Sequence, residues 1–344
     1  MKQTDDRLIQ WAIDETRDHY HDQVSLLLEH NTYCLEEDRG RRYVNSIISD
    51  AKEYLGLSRT FIIGGLGYDM NQVTWDHLER YAELKSYYVT VLAEGKILCS
   101  NTEADRQRFA YLQAKLAANL ADPLFMYDRS LEWLGSAMEL YKTMVFEESL
   151  CGNRKAAGFI RDYLAVAVAC YNQTYFSSFA QVDELRTMEH APECFTEQYC
   201  SLEQAKTIED LQAICHALIQ TTRTFLTQND RRERKANGPS THTELAEWYQ
   251  ECSYYFRRIY HFCAKGNATL VFGEATHNQA DLDDIAASFG LGGLDLLTFF
   301  DPNDLSAFAE NVKLAESAIV KAIESAGETI DAYVSVEEFL AKNA

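Results

Sequence analysis

Residues Asn153–Phe176 read NRKAAGFIRDYLAVAVACYNQTYF. At a repeat of about 3.6 residues, Ala156, Phe159, Ile160, Tyr163, Leu164, Ala167, Cys170, Tyr171 and Phe176 fall on one continuous apolar face. Small residues at Ala156, Ala157, Gly158, Ala165, Ala167 and Ala169 let neighbouring helices come close. Arg154, Lys155, Arg161 and Asp162 keep one end polar. The pattern predicts a buried core helix and, with it, a largely helical protein.

Working outward from that helix, the flanking segments carry the same signature. Asn101 or Thr102 can cap a helix running through Asp105 to Asn119, and Pro123 opens another that extends to about Glu148. Thr207–Leu226 follows. The charged run RRERKANGPS, residues 231–240, reads as a solvated loop or domain boundary. Beyond it lies an aromatic-rich helix, Thr243–Ala264, then Asn267–Phe272 as a strand or loop. Further helices are expected at Asp281–Phe289, at Leu305–Ala326 with Asp304 as cap, and at Ser335–Ala341. The triplet Asp281, Asp283 and Asp284 suits a helix N-terminus, where carboxylates favour the helix dipole. The apolar stretch Phe289–Phe300 reads as an internal turn.

The first hundred residues differ. A helix at 5–20 precedes three strand candidates, Val24–Leu28, Tyr43–Ile48 and Thr60–Ile63, and a last apolar run, KILC, ends near Cys99. Gly64, Gly65 and Gly67 lack the order of a dinucleotide fingerprint and read as a turn. The expected fold class is therefore α+β, mostly α: a small N-terminal mixed sheet with helices, then a larger helical bundle. The expected division is 1–100, 101–230, a boundary at 231–240, and 241–344 packing on the bundle.

Composition narrows the function. The 344-residue chain has a formal net charge of −21, which opposes binding to nucleic-acid phosphates and favours a cationic ligand or partner. No run approaches the length of a membrane span, so no membrane partner is expected. The 9 cysteines contain no C-x-x-C pair, as suits reduced thiols in a cytoplasmic protein.

The order helix, strand, strand, strand, then GGLGYD resembles the start of a nucleotidyltransferase domain. The segments DRQRFAYLQAKLAANLADP, LEWLGSAMELYKTMVFEESL and RKAAGFIRDYLAVAVACYNQTYF resemble the helical domain of kanamycin and other aminoglycoside nucleotidyltransferase relatives. That resemblance implies Mg²⁺ and a nucleoside triphosphate as cofactors, with two metals held by an Asp-x-Asp and a third carboxylate. Carried over, the triphosphate position falls on His30, Asn31 and Thr32, and the Asp-x-Asp position on Tyr43 and Asn45. Asp69 stands for the third carboxylate, and Glu147 or Glu148 for the general base. Asp69 can equally satisfy turn N–H groups. Two of three metal ligands are missing, so a catalytically degenerate member is expected, binding a nucleotide or small cationic ligand and compatible with a homodimer. The alternative is a helical interaction or regulatory protein without enzymatic activity, binding another protein through its acidic surface and the aromatic helix 243–264.

Overall fold

The structure is a computed structural model that describes residues 2–30, 43–63, 65–177, 181–232 and 239–343. The chain divides into two compact units, Met1–Arg232 and Glu233–Ala344. The fold class is α+β, mostly α, with one small mixed sheet near the N-terminus.

In the first unit, helix α1 (Lys2–His19) precedes strands β1 (Leu26–His30), β2 (Tyr43–Ile48), β3 (Arg59–Ile63) and β4 (Leu66–Val73). Helices α2 (Trp75–Ala82) and α3 (Val89–Ala93) lead to β5 (Lys96–Ser100). The five strands pair in the order β3-β4-β2-β1-β5. Only β2 and β4 run parallel; the other pairs are antiparallel. The alternation of side chains gives each face its own core. Leu26, Leu28, Ile48 and Val73 pack under α2 and α3, whereas Leu27, Ile47, Met70 and Cys99 pack under α1.

Strand β4 corrects the sequence reading. The glycine turn is confined to the link between β3 and β4, where Gly65 takes a φ of +84°, open to glycine without strain. Gly67, Tyr68 and Asp69 lie inside a strand, Asp69 opposite Thr60. Asp69 therefore stands in a ladder, not in the turn.

Helices α4 (Glu103–Ala121), α5 (Pro123–Met144), α6 (Leu150–Tyr171), α7 (Gln181–Leu185), α8 (Phe195–Ser201) and α9 (Ile208–Gln228) complete the first unit. Thr102 and Asp105 form a reciprocal capping box at α4, and Asp122 caps α5 with Pro123 in its first turn. Helix α6 is the core helix expected: Ile160, Leu164, Ala165, Ala167, Val168 and Ala169 have no measurable exposure. Burying each of the large aliphatic side chains contributes about 1.5–3 kcal/mol. Its apolar face is narrower than the periodicity suggests. Phe159 is 48% exposed, and Phe176 lies beyond the helix end. Asn153, at the polar end, is fully buried; its amide donates to the Glu147 and Ser149 carbonyls at 2.6 and 3.0 Å. The sheet and the helices share one core, since Leu28 and Ile48 belong to the same cluster as Phe109, Met126 and Cys170. Cys170 and Cys215 are buried, and burial pushes their thiols up to about 12.

The basic run after α9 begins on aromatic surface, not in open solvent. The Arg231 guanidinium lies 4.0 Å from the centre of the Tyr171 ring, and Arg232 pairs with Asp230 at 3.0 Å.

In the second unit, α10 (His242–Ala264), α11 (Ala268–Phe289) and α12 (Leu305–Ser325) pack about Phe256, Val271, Leu282, Phe308 and Ile319, followed by α13 (Val336–Asn343). Here two expectations are corrected. Residues 268–272 are helical, because Asn267 caps the Leu270 N–H and begins α11 there. Asp281, Asp283 and Asp284 consequently sit in the second half of α11, far from its N-terminus. A carboxylate, Glu316 of α12, is buried against α10. It accepts from the Tyr249 and Tyr260 hydroxyls at 2.7 and 2.6 Å and from Arg257. Among the described residues, no helix is long and apolar enough to cross a membrane.

Candidate functional site

The sheet register gathers several candidate residues at one end. Leu28 of β1 lies beside Ser46 of β2, and Ser46 beside Asn71 of β4. Two residues farther along are His30 on β1 and Asp69 on β4. Because β4 runs parallel to β2 and β1 antiparallel to it, both displacements point toward the same end. At a strand spacing of about 4.8 Å, their backbones are roughly 10 Å apart. All four residues share the face of Leu26, Leu28, Ile48 and Val73. That face is apolar at one end of the sheet and polar at the other.

The polar end is graded in exposure. His30 and Ser46 are buried, whereas Asn71 and Asp69 are exposed. Burial lowers the His30 imidazole to about 4, so at neutral pH the ring is uncharged, a hydrogen-bonding group and not a cation. Glu29, between Leu28 and His30, is also buried. The ladder skips Asn45, leaving it as the extra residue of a β-bulge opposite the Leu28–Glu29 step. Bulges re-aim side chains at the ends of strands, so the backbone irregularity coincides with the site. The side chains of Tyr43 and Asn45, and Asn31 and Thr32 altogether, lie outside the described residues.

Beside Asp69, a shallow open depression is lined by Thr60, Phe61, Ile62, Gly67 and Tyr68 on the hairpin β3–β4. Phe61 and Tyr68 stack there with ring centres 5.5 Å apart and planes 4° from parallel. Ile62 is 77% exposed, so the depression offers an aromatic wall and little enclosure.

The opposite flank carries residues that the sequence did not single out. Glu94 closes α3 just before β5, and Lys96 of β5 pairs with Glu29. The loop therefore meets the sheet at its His30 end. Burial, then the neighbouring Glu184 carboxylate, pushes the Glu94 carboxyl above its ordinary range. The Tyr175 hydroxyl is raised by burial and by both glutamates. Glu184 on α7 accepts the Ser177 N–H at 3.0 Å. The Glu94 and Glu184 charges thus act on one another and on the Tyr175 phenol.

Glu94→Gln is expected to stabilise the protein at neutral pH and not in acid. A carboxyl with a raised folded-state pKa contributes stability below its unfolded value, and that contribution is lost as pH rises through the folded one. The neutral amide escapes this loss. Thermal melts should show a gain of about 2 °C at pH 7 and none at pH 4. Equal or lower melting at both pH values would mean that the Glu94 charge is compensated.

Glu147 and Glu148 are placed elsewhere. Met126 of α5 belongs to the core against the sheet, whereas Met144 belongs to the core of the bundle. Eighteen residues of helix separate them, about 27 Å. Glu147 follows Met144 and is exposed; its carboxylate accepts the Ser149 N–H at 2.9 Å, which holds it below the usual carboxylate range. A Cβ placed on Gly152 would lie 2.4 Å from the Glu147 carboxyl carbon, so this glutamate folds over the first turn of α6. The structure does not bring it to the sheet-side end of α5.

Among the described residues, the donor set does not fit a two-metal centre. Asp69 pairs with Thr60 on β3, and Asn71, two residues along its own strand, pairs with Ser46 on β2; all three neighbours are neutral. No group of three or more His, Cys, Asp or Glu side chains among the described residues is placed to hold a metal ion.

No protein-family model matches the chain, and a search of curated proteins finds no match. Among solved structures, a nucleotidyltransferase-like protein from Exiguobacterium sibiricum 255-15 aligns with a TM-score of 0.32 and 13% identity, over 74% of this chain and 91% of that one.

Proposed function

We propose that residues 1–232 form a nucleotidyltransferase-like binding module that holds a small cationic molecule at the polar end of its sheet and performs no two-metal chemistry. The observation that carries this reading is the sheet register, which brings Asp69 of β4 and the Glu94 turn before β5 to the same end, where burial and then the Glu184 charge raise the Glu94 carboxyl. Like charges held together in partial burial are relieved by a proton or by a cation. Asp69 adds a third carboxylate at the same end, and the overall charge of −21 draws cations toward the surface. The same three carboxylates repel a triphosphate. Tyr175 supplies a ring face suited to an organic ammonium group. His30 and Ser46 remain neutral hydrogen-bonding groups.

Calorimetric titration of the full chain with spermidine, and separately with Mg²⁺ and nucleoside triphosphates, tests this. Saturable polyamine binding is expected, weakened about tenfold or more when Glu94 and Glu184 are both changed to Gln. Metal-dependent nucleotide binding that Asp69→Ala abolishes would overturn the reading. A second reading, a protein-interaction role, is favoured by the second unit alone, where Tyr254 and Phe272 are 65% and 51% exposed. Absence of both polyamine and nucleotide binding would leave that surface as the functional one.

A further inference from the structure

The groove between α5 and α9 has the opposite chemistry. It encloses about 670 Å³ and is lined by Tyr141 and Lys142 of α5 and by His216, Gln220, Arg223 and Thr227 of α9, among others. On α9 these residues recur at three- and four-residue steps, so one stripe of the helix faces the groove. No carboxylate belongs to the lining, in a chain with 53 Asp and Glu against 32 Lys and Arg. Lys142 pairs with Glu139 at 3.2 Å, an exposed contact that a stronger anion can displace. Arg223 makes no hydrogen bond or ion pair among the described residues. Its planar fork of donors is available, and it matches the oxygens of a phosphate. The hydroxyls and amides of Thr224, Thr227, Gln220 and Gln228 surround it with further donors, and the Tyr141 ring lies 6.2 Å from His216 at the groove wall.

We infer that this groove binds a small molecule bearing a phosphate group, at a site separate from the polar end of the sheet. Arg223 supplies the paired donors and Lys142 the second charge. The enclosed volume falls within the range of small-molecule sites. A locally cationic groove on an otherwise anionic surface also selects against other acidic macromolecules. A large polyanion would meet repulsion everywhere outside the groove, whereas a small one would not.

The test is titration of the full chain with pyrophosphate at constant ionic strength, followed by calorimetry and by the amide resonances of residues 216–228. Saturable binding is expected, with shifts confined to α9 and the end of α5. Arg223→Gln should weaken it about tenfold or more, and Lys142→Gln should weaken it less. Both side chains are exposed, so folding should be unaffected, which circular dichroism checks. Binding of equal strength in Arg223→Gln would overturn the assignment, as would absence of saturation at ~10 mM. Tighter binding of a poly-glutamate peptide than of pyrophosphate would overturn the small-molecule class.

Discussion

Glu316→Ala is expected to be among the most destabilising single substitutions in the second unit, at roughly 2–4 kcal/mol. The carboxylate is buried between α10 and α12 and accepts from two tyrosine hydroxyls and one guanidinium. Removing it leaves three donors facing a cavity. Arg257 is 56% exposed and can turn to water. The tyrosines are less free. Burial, then the bond to Glu316, pushes the Tyr249 hydroxyl up to about 12 and raises that of Tyr260 further. Glu316→Gln should recover part of the loss, because the amide oxygen still accepts one hydroxyl. Hydrogen exchange would localise the effect: amides of α10 and α12 should lose protection while those of α6 keep theirs. Unchanged protection in the alanine variant would show that the helices are held by the surrounding apolar core alone.

Gly95→Ala is the second large effect, about 2–4 kcal/mol, and it arises from backbone space. A Cβ at this position would sit 2.2 Å from the Val91 carbonyl oxygen and 3.2 Å from the Phe109 ring. Neither neighbour yields easily. The carbonyl belongs to the short helix α3, and Phe109 is one of the largest fully enclosed side chains. Gln113 also donates to the Leu92 carbonyl at 3.0 Å, which ties the same turn to α4. Since Glu94 is the adjacent residue, the substitution should depress polyamine binding together with stability. Chemical denaturation would measure the first loss and calorimetry the second. A shift below about 0.5 kcal/mol would mean that the turn between α3 and β5 can open without cost.

Helix boundaries were legible because their signals are local. Thr102, Pro123, Thr207, Asp304 and Ser335 each mark a helix start within three residues of where it begins. Strand β4 was illegible for the complementary reason. LGYDMNQV holds Gly, Asp and Asn, which strands ordinarily disfavour, and it is kept extended by pairing on both sides, with β2 and β3. The start of α11 was misread because ATLVF is β-branched and aromatic, and its one local clue was Asn267. The His30–Asp69 end of the sheet could be suspected from the strand order. Glu94 and Glu184 could not: ninety residues separate them, and only the return of α7 toward the α3–β5 turn brings them together. The same holds for Glu316 and its partners on α10.

The two irregularities flanking β1 have a consequence for how the sheet assembles. On one side the ladder skips Asn45, on the other Leu98, and the skips fall one residue apart on β1. Leu98 and Cys99 both reach the core under α1 as a result. A one-residue slip of β1 would have to undo both irregularities at once and turn Leu26 and Leu28 to the wrong side. β1 therefore works like a key cut on both edges, which closes the zipper in a single alignment and leaves mispaired intermediates nothing to rest on.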